Sequence, residues 1–439
     1  MWHWSLLSGA FPAVLLTLGA LGGLFLFVGR NTENWWNRTV PMAVLGAVGT
    51  GLAVRWYVDE VWQPFPDPLP DEVTVAVTVT VLAVVLCLAS LRHTSWWRRV
   101  TAVVATLAVI ATGSNAVNVY FGYYPTLAAL SGESVVTLAA APAPQQVFRQ
   151  LPKGHTVIQD WRAPLGMPPH GMVSMVSIPG SVSKFQARDA QVYFPPAYLT
   201  KNRPALPVLL LLSGQPGHPD NFTQSGHLVQ TMDAFAAAHH GLAPVVVSAD
   251  DIGSPDADPG CVDGTRGRVD TYLSVDVPHW ITTHLQVDND TRHWAVGGFS
   301  YGGTCSLQLA MNHPRLFPTF LDISGATGPT LGSEQLTIDR LFGGDAAAYH
   351  RVVPLEVLQR AMAASPRRPP REFADTFAVL AAGSKDPLSM AAQHRVQAAL
   401  RSAKIPVQLY VVAGRGHDWY LVTQVLATQF PVIAPRLGL

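Results

Sequence analysis

The sequence predicts two architectures in one chain: an all-α domain of four transmembrane helices, then an α/β domain with a mostly parallel sheet and helices on both faces. Four apolar runs of membrane-spanning length occupy the first 119 residues. From residue 171 onward, apolar strand-like runs alternate with helical stretches, which is typical of an α/β sheet. A Gly-x-Ser-x-Gly sequence separates one of these strands from the helix that follows.

The composition indicates that part of the chain lies in lipid. Hydrophobic residues make up 49% of the chain, charged residues only 13%, and the mean hydropathy is +0.21. An ordinary soluble domain carries roughly 25% charged residues. The 29 basic and 29 acidic residues form no basic stripe, so a nucleic-acid partner is disfavoured. Three cysteines are too few for a disulfide framework, and no Cys/His set has the spacing of a metal site.

The four apolar runs are each close to the roughly 20 residues that a membrane helix needs. They are approximately Phe11 to Gly29, Thr39 to Tyr57, Val73 to Leu91 and Val100 to Asn118. A cleaved signal peptide is the alternative for the first run, but its n-region has no Lys or Arg. A buried strand is the alternative for the β-branched third run, and its unbroken length favours a helix.

The loop charges predict the orientation of a multi-pass cell-membrane protein. Arg30 and Arg38 follow the first span, and Arg92, Arg98 and Arg99 follow the third, whereas the loop 59–72 is acidic and rich in proline. Loops with Lys and Arg stay in the cytoplasm. Both termini and the C-terminal domain are therefore expected to be extracytoplasmic.

The predicted compartment of the C-terminal domain bears on whether its two cysteines are oxidised. Cys261 and Cys305 could form a disulfide in that compartment, or remain two buried thiols, and the sequence leaves both open.

The C-terminal domain is predicted over residues 171–439. Residues 120–170 are rich in Ala, Pro and Gly without a sustained period, and are predicted to link it to the membrane domain 1–119.

The strongest chemical signal is the segment Gly298-Phe299-Ser300-Tyr301-Gly302. It follows the strand-like HWAVGG and opens the helical GTCSLQLAMNHP, which is the context of a nucleophile elbow. The turn around such a serine is so tight that small residues are required, and Gly298 and Gly302 meet that need. Ser300 is therefore the predicted nucleophile.

A serine hydroxyl needs a base to take its proton. Downstream, Asp386 follows the strand-like FAVLAAGS, and His417 lies in a glycine-rich loop after VQLYVVAG, giving the order serine, acid, histidine. His417 is the predicted general base and Asp386 the acid that orients it. Asp418 and Asp322 are alternatives for the acid, and His394 is an alternative for the base.

Two backbone N–H groups are expected to stabilise the oxyanion. One belongs to Tyr301, the residue after the nucleophile, and the other to Gln215 in the loop after PVLLLLSG, because Pro216 has no N–H to donate. Asp250 and Asp251 follow another strand and point to the same edge of the sheet. They either bind a polar or cationic part of the substrate or cap the next turn.

Taken together, these segments resemble the esterase D-like putative esterase family of α/β-hydrolases, to which the envelope mycolyltransferases are related. The resemblance covers about residues 171–435 and rests on DAQVYFPPAY before PVLLLLSG, on GGFSYGGTCSLQLAMNHPRLFPTFLDISGA, on LFGGDAAAYHRVVPLEVL and on GRGHDWYLV. It implies an α/β-hydrolase fold, a triad of Ser300, Asp386 and His417, and no metal or organic cofactor. The oxyanion loop reads SGQPG where the family more often has HGxGG.

The leading hypothesis is a membrane-anchored serine hydrolase that cleaves an acyl or aminoacyl ester of a membrane or envelope lipid through an acyl-enzyme. The segment Gly328 to Thr376 is long enough to form a lid or acyl-binding wall. An acyltransferase of the mycolyltransferase type, which transfers the acyl group to a sugar or lipid alcohol, is the alternative implied by the resemblance. A catalytically inactive binding or scaffold domain is the third.

Overall fold

The computed structural model describes residues 4–28, 32–62, 68–91, 94–146, 148–255 and 257–439. It consists of two compact units, residues 1–133 and 134–439. Residues 120–133 of the predicted linker thus belong to the first unit, and residues 134–170 belong to the second. Arg30 and Arg92, which contributed to the predicted orientation, lie outside the described residues, as does Gly29 at the end of the first predicted span.

Four helices in the described part of the first unit are long and apolar enough to cross a membrane, which confirms the predicted four-helix domain. They are α1 Ala10–Phe27, α2 Val40–Trp56, α3 Asp71–Ser90 and α4 Trp96–Phe121. The π-helical turns Trp35–Thr39 and Tyr57–Trp62 extend α2 at both ends. Apolar side chains cover the outside of the helices, with Leu16 63% exposed and Leu45 69% exposed. Such a surface is typical of helices that face lipid.

Small residues allow these helices to approach closely. A Cβ atom on Gly22 of α1 would lie 2.8 Å from the carbonyl oxygen of Ala105 in α4. Nearby, the Thr112 hydroxyl of α4 donates to the Leu15 carbonyl of α1 at 2.8 Å. Gly51 of α2 packs in the same way against Thr78 of α3.

Charged residues lie at the two ends of this helical unit. Arg38 immediately precedes α2, and Arg98 and Arg99 lie in the first turn of α4. At the opposite end of the α2–α3 hairpin, the Arg55 guanidinium donates to the Asp71 carboxylate at 2.5 Å. The described cations of the first and third loops therefore lie at one end, and Asp59, Glu60, Asp71 and Glu72 lie at the other.

The second unit is built on a sheet that has eight strands within the described residues. They are β1 Met172–Val176, β2 Ala190–Phe194, β3 Val208–Leu212, β4 Val245–Ala249, β5 Trp294–Phe299, β6 Thr319–Ile323, β7 Phe377–Gly383 and β8 Val407–Val412. Their order is β1-β2-β4-β3-β5-β6-β7-β8. The pairs β1–β2 and β2–β4 are antiparallel and the others parallel, so the mostly parallel sheet is confirmed.

Helices cover this sheet, and every residue of β3, β4, β5 and β6 is buried. The longer ones are α5 Leu228–Ala238, α6 Val277–His284, α7 Tyr301–Asn312, α8 Glu334–Phe342, α9 Ala346–Val352, α10 Pro354–Ala364, α11 Pro387–Ser402 and α12 Trp419–Ile433. Helix α12 packs on α5, whereas α10 packs on α7 and α11. Strands whose successive residues are all buried require cover on both faces, since neighbouring side chains point to opposite sides.

Residues 134–170 are attached to the second unit by hydrogen bonds. The Ala139 N–H donates to the Val173 carbonyl of β1 at 2.9 Å, and the Gln145 side-chain amide donates to the Thr200 carbonyl at 2.7 Å. The segment Gly328 to Thr376, between β6 and β7, contains helices α8, α9 and α10.

The close contact at Gly22 predicts that Gly22→Ala destabilises the helical unit. The new methyl group would meet backbone, which cannot rotate away, and overpacking of this kind costs about 1–3 kcal/mol. Gly46→Ala in α2 is the matched control, because a Cβ there meets no atom within 4 Å. Thermal unfolding of the full chain in detergent measures both variants. An equal or higher midpoint for Gly22→Ala than for Gly46→Ala would contradict the packing.

Candidate active site

Ser300 stands at the sharp turn between β5 and α7. Its backbone has φ 58° and ψ −116°, outside the regions that ordinary residues occupy. A Cβ atom on Gly298 would lie 2.2 Å from the Gly302 carbonyl, and one on Gly302 would lie 2.0 Å from the Leu212 carbonyl oxygen of β3. Only glycine fits at either position. Strain of this kind costs about 1–3 kcal/mol and persists where the surroundings impose it.

Neighbouring elements hold this turn in place. The Ser300 N–H donates to the Ile323 carbonyl at the end of β6 at 2.8 Å, and the Thr304 N–H donates to the Ser300 carbonyl at 3.0 Å. A Cβ atom on Gly214, in the loop after β3, would lie 3.4 Å from the Ser300 Cβ. The turn is therefore enclosed by the carboxyl ends of β3 and β6.

Asp386 and His417 meet at the end of β7 and β8. The His417 Nδ1 lies 2.8 Å from the Asp386 Oδ2, and Asp386 also caps α11 by accepting from the Ser389 N–H at 3.1 Å. The Asp386 side chain is 6% exposed and that of His417 is 26% exposed. Proton transfer to a bound substrate requires a base that the substrate can reach. His417 remains accessible, whereas Asp386, which orients it, is buried.

The imidazole controls the ionisation of the acid. Burial alone would raise the pKa of the Asp386 carboxyl, but the hydrogen bond and charge of His417, together with the bonds from Ser389, hold that pKa below its ordinary value. Asp386 is thus an anion at neutral pH. A carboxylate at Nδ1 favours the tautomer in which Nδ1 carries the proton and Nε2 is the proton acceptor.

The two loops that carry Asp386 and His417 are tied together. The Lys385 N–H donates to the Arg415 carbonyl at 2.8 Å, and the Gly414 N–H donates to the Ser384 hydroxyl at 2.9 Å. Gly383 permits this approach, since a Cβ there would lie 2.3 Å from the Arg415 carbonyl oxygen. Asp386 and His417 are therefore held in fixed positions relative to each other.

Aromatic packing places His417 beside the turn that carries Ser300, the predicted nucleophile. Its ring centroid lies 4.8 Å from that of Phe299, the residue immediately before Ser300. Phe299 also contacts Trp419, at 5.3 Å between centroids, and Trp419 contacts Phe222. The structure thus brings the three predicted catalytic residues into one site at the carboxyl edge of the sheet.

The alternatives to Asp386 and His417 have other contacts. Asp418 caps α12, accepting from the Leu421 N–H at 2.8 Å and from the Gly416 N–H at 3.1 Å. Asp322 lies under the nucleophile helix and accepts from the Gly325 N–H at 2.9 Å. His394 is exposed on α11.

The predicted oxyanion donors flank the nucleophile. Tyr301 is the first residue of α7, and the first N–H groups of a helix have no acceptor within that helix. Gln215 follows Gly214, the residue that packs against Ser300. The Tyr301 side chain points elsewhere: its buried hydroxyl accepts from the Cys261 N–H at 2.8 Å. The Tyr301 side chain is therefore held by the Cys261 loop, and the predicted oxyanion donor remains its backbone N–H.

Cys261 and Cys305 form a disulfide, with their Cα atoms 5.5 Å apart. The structure thereby decides between the two alternatives that the sequence left open. Cys305 lies in α7, five residues after Ser300, and Cys261 belongs to the loop that follows β4. The disulfide and the Tyr301 hydroxyl together fasten this loop to the nucleophile helix.

Asp250 and Asp251 are fully buried. Asp250 pairs with the Arg188 guanidinium at 2.6 Å and accepts from the Gly253 N–H at 3.1 Å, which commits its carboxylate to holding the loop. Asp251 accepts from the Ser213 hydroxyl at 3.4 Å, and burial beside Asp250 raises its pKa well above the ordinary value. Of the two predicted roles, the structure gives Asp250 the local structural one. No group of three or more side chains able to hold a metal lies in the described ranges.

Sequence reasoning missed Ser389, Arg188 and the aromatic packing around His417. Ser389 lies three residues after Asp386, where a capping aspartate accepts from the backbone, so the spacing of the two was a usable signal. Arg188 precedes β2 and reaches Asp250 across 62 positions. That pairing depends on the folded sheet and had no local signal.

Comparison with known proteins agrees with this fold. The family model described as "Putative esterase" matches residues 183–417. An uncharacterised protein of Corynebacterium glutamicum is 34% identical over 445 residues, covering 99% of this chain and 98% of that protein. A ferulic acid esterase structure covers 61% of this chain and 99% of its own, with a TM-score of 0.52 and 20% identity.

An S-formylglutathione hydrolase from Agrobacterium tumefaciens gives a similar match, with a TM-score of 0.51, 18% identity and coverage of 62% and 97%. At these identities the two structures are evidence for the fold of the second unit. The family model spans more than half of this chain, including the predicted nucleophile, acid and histidine. The chain belongs to the putative esterase family, with an α/β-hydrolase unit that follows four apolar helices.

Proposed function

We propose that this chain is a membrane-anchored serine hydrolase that cleaves an ester bond of a membrane or envelope lipid. The observation that carries the proposal is the 2.8 Å pair of His417 and Asp386 beside the strained turn of Ser300. Membership of an esterase family supports the reaction class. The four apolar helices support a substrate that is reached from a membrane.

In the proposed mechanism, the Ser300 hydroxyl attacks the ester carbonyl while the His417 Nε2 takes its proton. The Asp386 carboxylate stabilises the imidazolium that forms. The backbone N–H groups of Tyr301 and Gln215 stabilise the oxyanion of the tetrahedral intermediate. His417 then gives its proton to the departing alcohol, leaving an acyl-enzyme on Ser300, and a water molecule deprotonated by His417 releases the acid.

We further propose that the catalytic unit faces the extracytoplasmic side. Two observations support this orientation. Arg38, Arg98 and Arg99 lie at the same end of the helical unit, and such clusters stay in the cytoplasm. The Cys261–Cys305 disulfide favours an oxidising compartment for the catalytic unit.

The nucleophile assignment predicts that a fluorophosphonate probe labels the full chain in detergent and that Ser300→Ala abolishes labelling. The probe forms a covalent bond only with a serine whose hydroxyl is activated by a base. Ser402→Ala, at an exposed serine at the end of α11, is the control and is expected to label like the wild type. Labelling of Ser300→Ala at the wild-type rate would refute the assignment.

The lipid-ester proposal predicts that the chain reconstituted in phospholipid vesicles hydrolyses a diacylglycerol ester carried in the bilayer. The rate is expected to follow the mole fraction of that ester in the membrane, because a membrane-held site samples the surface and not the bulk. Mass spectrometry of the released acid measures the reaction, with Ser300→Ala vesicles as the control. Consumption of water-soluble esters alone would contradict a lipid substrate, and capture of the acyl group by an added alcohol would favour the acyltransferase.

The orientation predicts that a protease added to intact cells removes the catalytic unit. Cleavage is expected in the chain around residues 131–170, which has little regular secondary structure. An antibody against a C-terminal tag, with a cytoplasmic protein as the control for lysis, measures the loss. Resistance in intact cells with cleavage only after permeabilisation would place the unit in the cytoplasm.

A further inference from the structure

Arg188 takes no part in the proposed mechanism, yet the topology of the sheet places it at the catalytic edge. It lies two residues before β2, which runs antiparallel to β4 with Gln191 opposite Ser248. The beginning of β2 therefore lies beside the carboxyl end of β4. Strand β3 is the other neighbour of β4 and ends at the same edge, where the oxyanion loop, residues 213–217, begins.

The oxyanion loop is folded tightly on itself. A Cβ atom on Gly217 would lie 2.1 Å from the Gly214 carbonyl oxygen, and one on Gly214 would lie 3.4 Å from the Ser300 Cβ. Gln215, whose backbone N–H is the proposed second oxyanion donor, lies between these two glycines. A displacement of Gly217 would therefore change the position of the Gln215 N–H relative to the nucleophile.

The Arg188 guanidinium holds the far end of this loop. Its Nη1 donates to the Gly217 carbonyl oxygen at 2.8 Å and lies 3.1 Å from the His218 Nδ1, which accepts because a guanidinium can only donate. Its Nη2 donates to the Asp250 carboxylate at 2.6 Å. One planar cation thus joins the loop after β3 to the loop after β4.

The carboxylate that orients this cation is itself fixed. Asp250 is fully buried and accepts from the Gly253 N–H at 3.1 Å and from the Arg188 N–H at 2.7 Å. A charge-assisted bond to a carboxylate that cannot move holds the guanidinium in one orientation. Neutralising Asp250 requires only Nη2, so the bond from Nη1 to the Gly217 carbonyl needs a separate explanation.

We propose that Arg188 is a positioning residue for the oxyanion hole. By holding the Gly217 carbonyl, it keeps the Gln215 N–H aimed at the oxyanion that forms when Ser300 attacks the ester carbonyl. Such a hole stabilises the transition state because its donors are already in place and need not move during the reaction. Loss of Arg188 therefore slows the chemical step and leaves substrate binding nearly unchanged. The inference rests on the proposed function of this site.

The test compares Arg188→Ala with Arg188→Lys in the full chain in detergent, with a water-soluble ester as substrate. Loss of an oxyanion donor costs about 10²–10³ in kcat, so a donor that is only misplaced is expected to cost Arg188→Ala about tenfold to a hundredfold in kcat, with KM within about twofold of the wild type. Arg188→Lys keeps a cation for Asp250 but lacks the two separated nitrogens of the guanidinium. Its kcat is expected to lie within about threefold of that of Arg188→Ala.

Arg292→Ala is the matched control. It removes another guanidinium that is paired with an aspartate, Asp290, in the turn immediately before β5 and thus at the opposite edge of the sheet. Its kcat and KM are expected to equal those of the wild type. Each kcat is expressed per serine labelled by a fluorophosphonate at the end point, so that unfolded protein is not counted.

The pH profile separates the oxyanion hole from the triad. Its acidic limb follows the protonation of the base, and Arg188 has no contact with His417 or Asp386 among the described interactions. The limb is therefore expected at the same pH in Arg188→Ala as in the wild type. A shifted limb, a kcat per labelled serine within twofold of the wild type, or wild-type kcat in Arg188→Lys would overturn the proposal.

The rate of fluorophosphonate labelling keeps this test apart from the proposed function. The phosphoryl oxygen of the probe develops charge in the same hole, so Arg188→Ala is expected to label at least about tenfold more slowly than the wild type and to reach the same end point. Absence of ester hydrolysis by the wild type would refute the proposed function, and the labelling rates would still decide the role of Arg188. An active wild type whose Arg188→Ala variant labels equally fast would refute the positioning role alone.

Discussion

The candidate active site depends on how closely the nucleophile helix approaches the end of β3. Gly302 passes the Leu212 carbonyl so closely that any side chain would overlap it, and Gly298 is confined by Gly302 in the same way. These contacts force Ser300 into a backbone conformation that an unconstrained chain would leave. The strain is supported by the hydrogen bond from the Ser300 N–H to the end of β6. The position of the hydroxyl is therefore set by backbone packing of the sheet.

The proposed catalysis also requires that Asp386, which orients the predicted base His417, keep a fixed position relative to Ser300, and helix α11 provides this. Asp386 caps this helix, Ser389 bonds it to the loop after β6, and Gln393 bonds it to the Gly325 carbonyl of that loop. The loop after β6 in turn packs on α7 through Gly303. The acid and the nucleophile are thus connected by short contacts around one point. A hydrogen-bond network of this kind is stiff when every member is satisfied and costly when one is not.

Much of this could be predicted because the signals were local. The sequence around Ser300 carries its own strand, turn and helix, the eight strands are apolar runs, and the order of Ser300, Asp386 and His417 follows from the order of the strands. What escaped prediction depends on contacts between distant segments. Burial of Asp250 against Arg188, and the packing of the Phe299 ring on His417, exist only after the sheet has formed. A single sequence contains no pattern for such pairs.

The disulfide connects the chemistry of the site to the compartment in which it works. Cys305 lies on the nucleophile helix and Cys261 in the loop whose backbone N–H donates to the Tyr301 hydroxyl, so closing the bond fastens that loop beside the elbow. In a reducing cytoplasm the Cys261–Cys305 disulfide would be reduced, and this support of the loop would be lost. The charges of the helical unit favour the same side of the membrane on unrelated grounds, since they depend on Arg38, Arg98 and Arg99 and not on the cysteines. The proposed extracytoplasmic orientation thus has two independent physical grounds, one in each unit of the chain.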